Sequence, residues 1–158
     1  MIRPEAPSGA ASQALFAEYL ELVRERLGDA FVPTEAIFAT EDDFRGEGAA
    51  WLVLYEGDAA VACGGLRPLA PGVAEIKRMF VSLEHRGRGY SKAILTTLER
   101  MARENGYGTV RLETRSKQLA AIALYEKLGY VRIPNYGSYV GKDDCLCYEK
   151  PLGQGSRE

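Results

Sequence analysis

Two arginines and two glycines alternate in a short turn at residues 86–89, RGRG, and no other segment of the sequence is as well suited to chemistry. The strand-like segment 73–81 precedes this turn, and a helical pattern of apolar residues follows it. Backbone N–H groups in such a turn and in the first helical turn lack intrahelical partners, and the helix dipole favours an anion beside them. Gly89 lets the backbone approach a ligand without an intervening side chain. Residues 86–91 are therefore predicted to form an anion cradle for a phosphorylated cofactor.

The cradle matches neither of two common phosphate-binding motifs. A kinase-type phosphate loop ends in Gly-Lys-Ser/Thr, and this triplet does not occur in the sequence. A dinucleotide-binding fingerprint needs three glycines, and the third is missing after Gly89. On glycine spacing alone, a tight strand-to-helix connection that binds nothing remains an alternative.

Two motifs resemble the signatures of the GNAT superfamily of N-acetyltransferases. The cradle, RGRGYS, resembles motif A, Gln/Arg-x-x-Gly-x-Gly/Ala, with Ser91 in place of the small final residue. Residues 118–130, QLAAIALYEKLGY, resemble motif B, Asn-x-x-Ala-x-x-Leu-Tyr-x-x-x-Gly-Phe, with Gln118 where asparagine is usual. The resemblance covers roughly residues 51–150.

The resemblance implies an α/β (α+β) fold and a binding site for acetyl-CoA. The implied fold is a mixed, mostly antiparallel central sheet with splayed parallel strands 4 and 5 and helices on both faces. Acetyl-CoA, the implied co-substrate, enters the gap between the splayed strands. The main chain of the protein at residues 79–81 would hold the pantetheine, and the cradle would hold the diphosphate. Gln118 would reach the pantetheine amide. The implied cofactor-binding residues are Met79, Phe80, Val81, Arg86, Gly87, Arg88, Gly89, Tyr90, Ser91 and Gln118.

Acetyl transfer to an amine needs a proton acceptor, a donor to the developing oxyanion and a proton donor for the leaving thiolate. The resemblance implies that Tyr125 of motif B is the general acid, and the alternative is an aromatic side chain that fills the core. Glu75 and Glu113 are the candidates for the general base, with a relay through water as the third option. Either glutamate can instead pair with a neighbouring lysine or arginine.

The implied function is that of an enzyme that moves an acetyl group from acetyl-CoA to a primary amine by direct attack in a ternary complex. The acceptor is predicted to be a small molecule, with a protein amine as the second option, and to be held by residues 8–50 and 134–144. The alternative is a non-catalytic acyl-CoA-binding domain with a sensing or regulatory role.

Length and composition indicate one globular domain. The chain has 158 residues, of which 46% are hydrophobic and 27% charged. We predict a single domain over residues 1–152 and a disordered tail over 153–158. A net charge of −2 gives no general attraction to nucleic acid or to a membrane, and no apolar run approaches the ~20 residues of a membrane span. The N-terminus lacks the apolar core of a signal peptide, so we expect a cytoplasmic protein. A homodimer is compatible with the sequence.

Cysteine and histidine usage predicts no metal site. The chain has three cysteines and one histidine, too few soft ligands in any one segment for a zinc site. The cysteines are expected to be reduced and structural.

The elements that position the candidate residues follow from hydrophobic spacing and turn residues. Helices are predicted over 8–27, 91–104 and 119–128, the last ended by Gly129. Strands are predicted over 51–55, 59–66, 73–81, 109–114, 130–133 and 145–150. A short helix and a loop are expected over 33–50, and a turn at 68–72.

Overall fold

The computed structural model describes residues 1–28 and 41–153. Its strands are β1 (Ile2–Pro4), β2 (Ala50–Glu56), β3 (Ala59–Ala70), β4 (Val73–Val81), β5 (Thr109–Arg115), β6 (Val131–Ile133) and β7 (Cys145–Pro151). Its α-helices are α1 (Ala10–Leu27), α2 (Tyr90–Glu104) and α3 (Leu119–Lys127), and short 3-10 turns lie at Glu41–Phe44, Leu83–His85 and Gly137–Tyr139. Across the described residues, no helix combines the length and the apolar character needed to cross a membrane.

The strands of the described residues form one mixed sheet in the spatial order β1-β2-β3-β4-β5-β7-β6. Neighbouring strands run antiparallel except β4 and β5, which run parallel. The predicted mostly antiparallel sheet with one parallel pair in its middle is therefore confirmed.

Strand β2 shows why helices cover both faces of this sheet. Trp51 and Val53 pack in one apolar cluster with residues of α1, whereas Leu52 and Leu54 pack in a second cluster with residues of α2. Successive side chains of a strand point to opposite faces, so a strand that is apolar at every position must be covered on both. We call these surfaces of the sheet the α1 face and the α2 face.

Two glycines in β3 let these layers come close to the sheet. A Cβ atom on Gly64 would lie 2.8 Å from Ile94 of α2, and one on Gly65 would lie 2.3 Å from the ring of Phe44. No ordinary side chain tolerates such distances, so the absence of a Cβ atom at both positions is what permits the observed packing.

The structure departs from the predicted elements at two places. Strand β1 was not predicted, because three residues are too few to show an alternating pattern. The predicted turn at 68–72 is wrong at its start, since β3 continues to Ala70 and Pro68 lies opposite Ala74. An irregularity between Pro68 and Ala70 accommodates the proline, which cannot donate a ladder hydrogen bond.

Two predicted segments fall partly outside the described residues. Of the short helix and loop expected over 33–50, the described part contains the 3-10 turn Glu41–Phe44 and the start of β2. Of the tail expected over 153–158, only residue 153 is described.

Candidate functional site

Strands β4 and β5 separate shortly after they begin, and the opening between them is the centre of the candidate site. They pair only at Val73–Thr109, Ala74–Val110 and Glu75–Arg111. Beyond these positions β4 continues along β3 and β5 continues along β7, without pairing to each other. Backbone groups that face this opening lack a strand partner and are available to a ligand. We call this opening the β4–β5 gap.

A bulge at Arg78 shapes the β4 side of the gap. Arg78 has φ of 62°, which is uncommon for a residue other than glycine, and the β3–β4 register shifts beside it. Such bulges bend a strand and recur next to functional sites. The bulge falls shortly after β4 leaves β5, so it turns the strand away from its former partner.

The predicted pantetheine-binding residues lie on β4 directly after the bulge. Met79 packs with the α2-face cluster, whereas Phe80 packs with the α1-face cluster and lies 5.6 Å from the ring of Tyr19. Val81 is part of the α2-face packing as well. Because their side chains pack against the core, a ligand in the gap would contact their backbone.

The anion cradle lies between the end of β4 and the start of α2. Gly87 and Gly89 have φ of 81° and 79°, values that strain any residue with a side chain. Gly89 precedes Tyr90, the first residue of α2, and no side chain caps this helix start. The N–H groups of the first turn thus make no hydrogen bond with the described residues, and the positive end of the helix dipole points at the cradle.

The side chains of the cradle are already engaged, and one of their partners was not found from the sequence. Arg86 Nε donates a hydrogen bond of 3.0 Å to the carbonyl oxygen of Val81, which ties the cradle to β4. Arg88 Nη1 contacts both carboxylate oxygens of Glu56, at 2.9 and 2.7 Å, and the Tyr90 hydroxyl donates to the same carboxylate. These two contacts, led by that of Tyr90, lower the pKa of Glu56. No sequence signal links Glu56 to the cradle, because only the β2–β3 hairpin brings it there.

The side chains of Ser91 and Gln118, at the starts of α2 and α3, form no hydrogen bond with the described residues. Ser91 is the second residue of α2 and is half-buried. Gln118 immediately precedes α3; its backbone N–H donates to Arg115, and its exposed side chain makes no capping hydrogen bond. Its amide is thus available, as predicted, to a ligand held between β5 and α3.

Tyr125 of α3 is a buried residue of the α2-face cluster. The ring lies 5.7 Å from that of Tyr130 and 6.2 Å from that of Tyr148. Its hydroxyl makes no hydrogen bond with the described residues. Burial, aided by the charge of Glu113, raises the pKa of Tyr125 to about 12. This side chain therefore holds its proton at neutral pH and has no protein acceptor for it.

The two candidate bases lie on the α1 face but are bonded very differently. Glu75 is 1% exposed and accepts hydrogen bonds from Arg67 Nε at 2.8 Å and from the Tyr136 hydroxyl at 2.7 Å. Glu113 lies on β5 beyond the last β4–β5 pair, with one oxygen, Oε2, 3.2 Å from Arg115 Nε. That oxygen is buried and forms no hydrogen bond with the described residues, since the approach of Arg115 lacks hydrogen-bond geometry. Glu113 is therefore the less satisfied of the two carboxylates.

The segment expected to hold the acceptor does lie on the α1 face. The rings of Tyr136 and Tyr139 pack edge to face with centroids 5.5 Å apart. The Tyr136 hydroxyl reaches Glu75 of β4, and the guanidinium of Arg111 of β5 lies 5.4 Å from the Tyr136 ring. The loop between β6 and β7 thus contacts both strands that border the gap. Of the other predicted acceptor segment, 8–50, residues 29–40 lie outside the described residues.

The structure thus brings the predicted residues together around one opening. The cradle follows the end of β4, the backbone at 79–81 lies beyond the last β4–β5 pair, and the charge of Glu113 on β5 acts on Tyr125 of α3. Glu56 was missed, and so was the hydrogen bond of Tyr136 with Glu75, because each contact joins residues more than thirty positions apart.

The sequence of the chain is similar to those of known acetyltransferases. Residues 13–130 match the model of the acetyltransferase (GNAT) family. The chain is 36% identical over 100 residues to the uncharacterized Escherichia coli N-acetyltransferase YjgM, an alignment that covers 61% of this chain and 59% of the relative. It spans about half the length of the mouse and rat N-acetyltransferases that it also matches, 47% and 49%.

Solved structures share the fold over nearly the whole chain. A Klebsiella pneumoniae protein described as an acyl-CoA N-acyltransferase superposes with a TM-score of 0.76 and 31% identity, covering 96% of this chain and 97% of that one. The Salmonella typhimurium acetyltransferase yncA, solved with its cofactor acetyl-CoA, superposes with a TM-score of 0.72 and 19% identity, covering 99% of this chain and 95% of that one. At that lower identity the likeness concerns the fold alone.

Proposed function

Because this chain belongs to the acetyltransferase (GNAT) family, we propose that it transfers the acetyl group of acetyl-CoA to a primary amine of a small molecule. The observation that carries this proposal is the β4–β5 gap with the cradle at its end. A strand edge without a partner suits the amide groups of pantetheine, and a helix start without a cap suits a diphosphate. The two lie next to each other in the order in which these groups occur in coenzyme A.

Acetyl-CoA would be held by the main chain of Met79, Phe80 and Val81 and by the cradle residues Arg86, Gly87, Arg88, Gly89, Tyr90 and Ser91. Gln118 would contact the pantetheine from the α3 side. The bound co-substrate supplies an activated acetyl group as a thioester. The contacts with Glu56 position Arg88 and Tyr90 at the cradle before the ligand arrives. A diphosphate bound in the cradle would compete with Glu56 for these two side chains.

The amine must lose a proton during the reaction, since a free alkyl amine has a pKa of about 10.4 and is charged at neutral pH. We propose that Glu113 accepts this proton, directly or through water. It lies beyond the last β4–β5 pair, and its Oε2 has no hydrogen bond with the described residues. Glu75 remains the alternative base, but both of its oxygens already accept hydrogen bonds.

Negative charge develops on the thioester oxygen as the amine attacks in a ternary complex. Backbone N–H groups of β4 near Met79 and Phe80 are the donors that we assign to that oxygen. The thiolate that leaves needs a proton, and Tyr125 is the donor that we assign to it. Its hydroxyl forms no hydrogen bond with the described residues, and its raised pKa, about 12, keeps it protonated at neutral pH.

The test measures two quantities on the same protein. Calorimetry with acetyl-CoA and with free CoA measures binding, and release of free thiol in the presence of a panel of small amines measures transfer. We expect binding of both ligands and thiol release that depends on the amine. Absence of heat with either ligand would refute acetyl-CoA binding and with it the transferase.

Tight binding without turnover on any acceptor, protein amines included, would instead support the non-catalytic acyl-CoA sensor.

The cytoplasmic location, the homodimer and the absence of nucleic-acid or membrane partners stay predictions from the sequence.

A further inference from the structure

Lys77 of β4 is a half-buried cation without an anionic partner. Its Nζ lies 5.7 Å from the centroid of the Tyr139 ring, and it forms no hydrogen bond or ion pair with the described residues. Burial lowers the pKa of Lys77, and the charge of Glu75 opposes this shift. A partly desolvated ammonium group is costly unless an acceptor meets its N–H donors.

Three carboxylates on this face already contact guanidinium groups. Glu75 and Asp43 both contact Arg67, at 2.8 and 3.7 Å. Glu149 contacts Arg111 at 3.1 Å. Because these acids pair with guanidinium groups, Lys77 has no ion-pair partner among the described residues, and its N–H donors are available to a ligand.

Lys77 stands where an acceptor would enter. Glu75 is the last residue of β4 that pairs with β5, and Lys77 follows it by two positions on the same face of the strand. It therefore borders the opening of the gap on the α1 face. Tyr136 and Tyr139 cover this region, and Tyr139 lies against the ammonium group.

We propose that Lys77 binds a carboxylate on the acceptor, so that the amine acetylated by this protein belongs to an amino-acid-like molecule. This inference rests on the proposed function and names the substrate class of the same site. A carboxylate matches the single charge of one lysine and forms charge-assisted hydrogen bonds with it. A phosphate fits less well, because Arg67 and Arg111 on this face are already paired with glutamates.

The test compares amino acids with their α-carboxamides as acceptors in the thiol-release assay. Each pair shares its side chain and its amine and differs only at the carboxylate. We expect kcat/KM to favour the acid over the amide by about 10- to 100-fold, the effect of one hydrogen-bonded charge. In Lys77→Met this ratio should fall to near one, and Lys77→Arg should restore most of it. The matched control is Lys127→Met, at an exposed position at the end of α3, which should keep the wild-type ratio.

The possible outcomes separate the two claims. Equal or better turnover of the amides by the wild-type protein would overturn the carboxylate inference and leave the acetyltransferase standing. So would a preserved ratio in a Lys77→Met protein that binds acetyl-CoA and unfolds at the wild-type temperature. Absence of turnover with both series, together with absence of acetyl-CoA binding, would overturn the proposed function and this inference with it.

Discussion

Two buried carboxylates on opposite faces of the sheet have nearly the same bonding. Glu99 of α2 accepts hydrogen bonds from the Tyr130 hydroxyl at 2.6 Å and from Lys150 Nζ at 2.9 Å. Glu75 of β4 accepts from the Tyr136 hydroxyl at 2.7 Å and from Arg67 Nε at 2.8 Å. Each network thus consists of one carboxylate, one tyrosine and one cation.

The networks differ in what surrounds them. Glu99 is enclosed on the α2 face, where α2 packs against the sheet. Glu75 occupies the last paired position before the β4–β5 gap, and its tyrosine comes from the loop that covers the α1 face. The same set of bonds therefore joins α2 to the sheet at Glu99, whereas at Glu75 it joins the loop between β6 and β7 to the strand that borders the β4–β5 gap.

This comparison also shows which groups the fold leaves available for chemistry. Tyr125 and Glu113 are of the same residue types as the members of the two networks. Neither the Tyr125 hydroxyl nor the buried Glu113 oxygen forms a hydrogen bond with the described residues. Buried polar groups normally have hydrogen-bond partners, so groups beside a gap that lack a hydrogen bond with the described residues are the candidates for reaction.

The largest effect is expected when the carboxylate outside both networks is neutralised. Glu113→Gln should lower kcat by about 10²- to 10⁴-fold, because the amine loses its proton acceptor. The free energy of unfolding should change by less than about 1 kcal/mol, since no hydrogen bond of the buried oxygen is lost. Steady-state thiol release and urea unfolding measure the two quantities.

Glu149→Gln provides the matched control, because Glu149 lies on β7 and pairs with Arg111. It should retain kcat within a few-fold. A Glu113→Gln enzyme with wild-type kcat would remove Glu113 from the mechanism and return the role of base to Glu75 or to water.

The next largest effect is expected in the enclosed network, on stability alone. Glu99→Gln should lower the free energy of unfolding by about 3 kcal/mol, because Lys150 keeps its charge without a carboxylate. Turnover per folded molecule should stay at the wild-type level. Urea unfolding tests the first statement, and kinetics at a temperature where the variant is folded test the second.

The double variant Glu99→Gln/Lys150→Met sharpens this test. It removes the orphaned charge and should recover part of the lost stability. If Glu99→Gln instead lowered turnover as strongly as stability, the contrast between an enclosed network and one at the gap would fail.

A smaller effect is expected at the unpaired tyrosine. Tyr125→Phe should lower kcat by about 10- to 100-fold, less than the loss of the base, because a thiol with a pKa of about 8.5 leaves without much help. Acetyl-CoA affinity by calorimetry should be unchanged. Tyr130→Phe, which also removes a buried hydroxyl, should affect stability more than turnover, since that hydroxyl bonds to Glu99. Equal kcat losses in the two variants would contradict the proposed role of Tyr125.

The helices and the glycine turn before α2 could be predicted from the sequence because each depends on a local pattern, whereas the parallel pair was implied by the resemblance to the GNAT superfamily. Glycines at 87 and 89 adopt the positive φ that the turn requires, and the spacing of motif B places Tyr125 on α3. Both networks were missed, because their tyrosine–carboxylate bonds join residues 31 and 61 positions apart. The contact of Glu56 with Tyr90 was not predicted for the same reason, since it joins residues 34 positions apart. Pairs of this kind are created by the fold, and the spacing of residues along the chain carries no trace of them.

The smallest effect is expected from Glu75→Gln, and it is the most direct comparison with Glu99→Gln. Arg67 is 32% exposed and keeps a contact with Asp43 at 3.7 Å, whereas Lys150 is 24% exposed and its salt bridge is to Glu99. Water and Asp43 can therefore offset more of the loss, and the free energy of unfolding should fall by only about 1–2 kcal/mol. KM for the amine should rise because the amide has one acceptor oxygen, for which Tyr136 must compete with Arg67, while kcat changes little. Tyr136→Phe is the matched variant and should reproduce the rise in KM with a smaller loss of stability. A large fall in kcat in Glu75→Gln, without the same fall in Tyr136→Phe, would instead identify Glu75 as the base. The networks of Glu75 and Glu99 would then differ in chemistry as well as in position, although their hydrogen bonds are nearly the same.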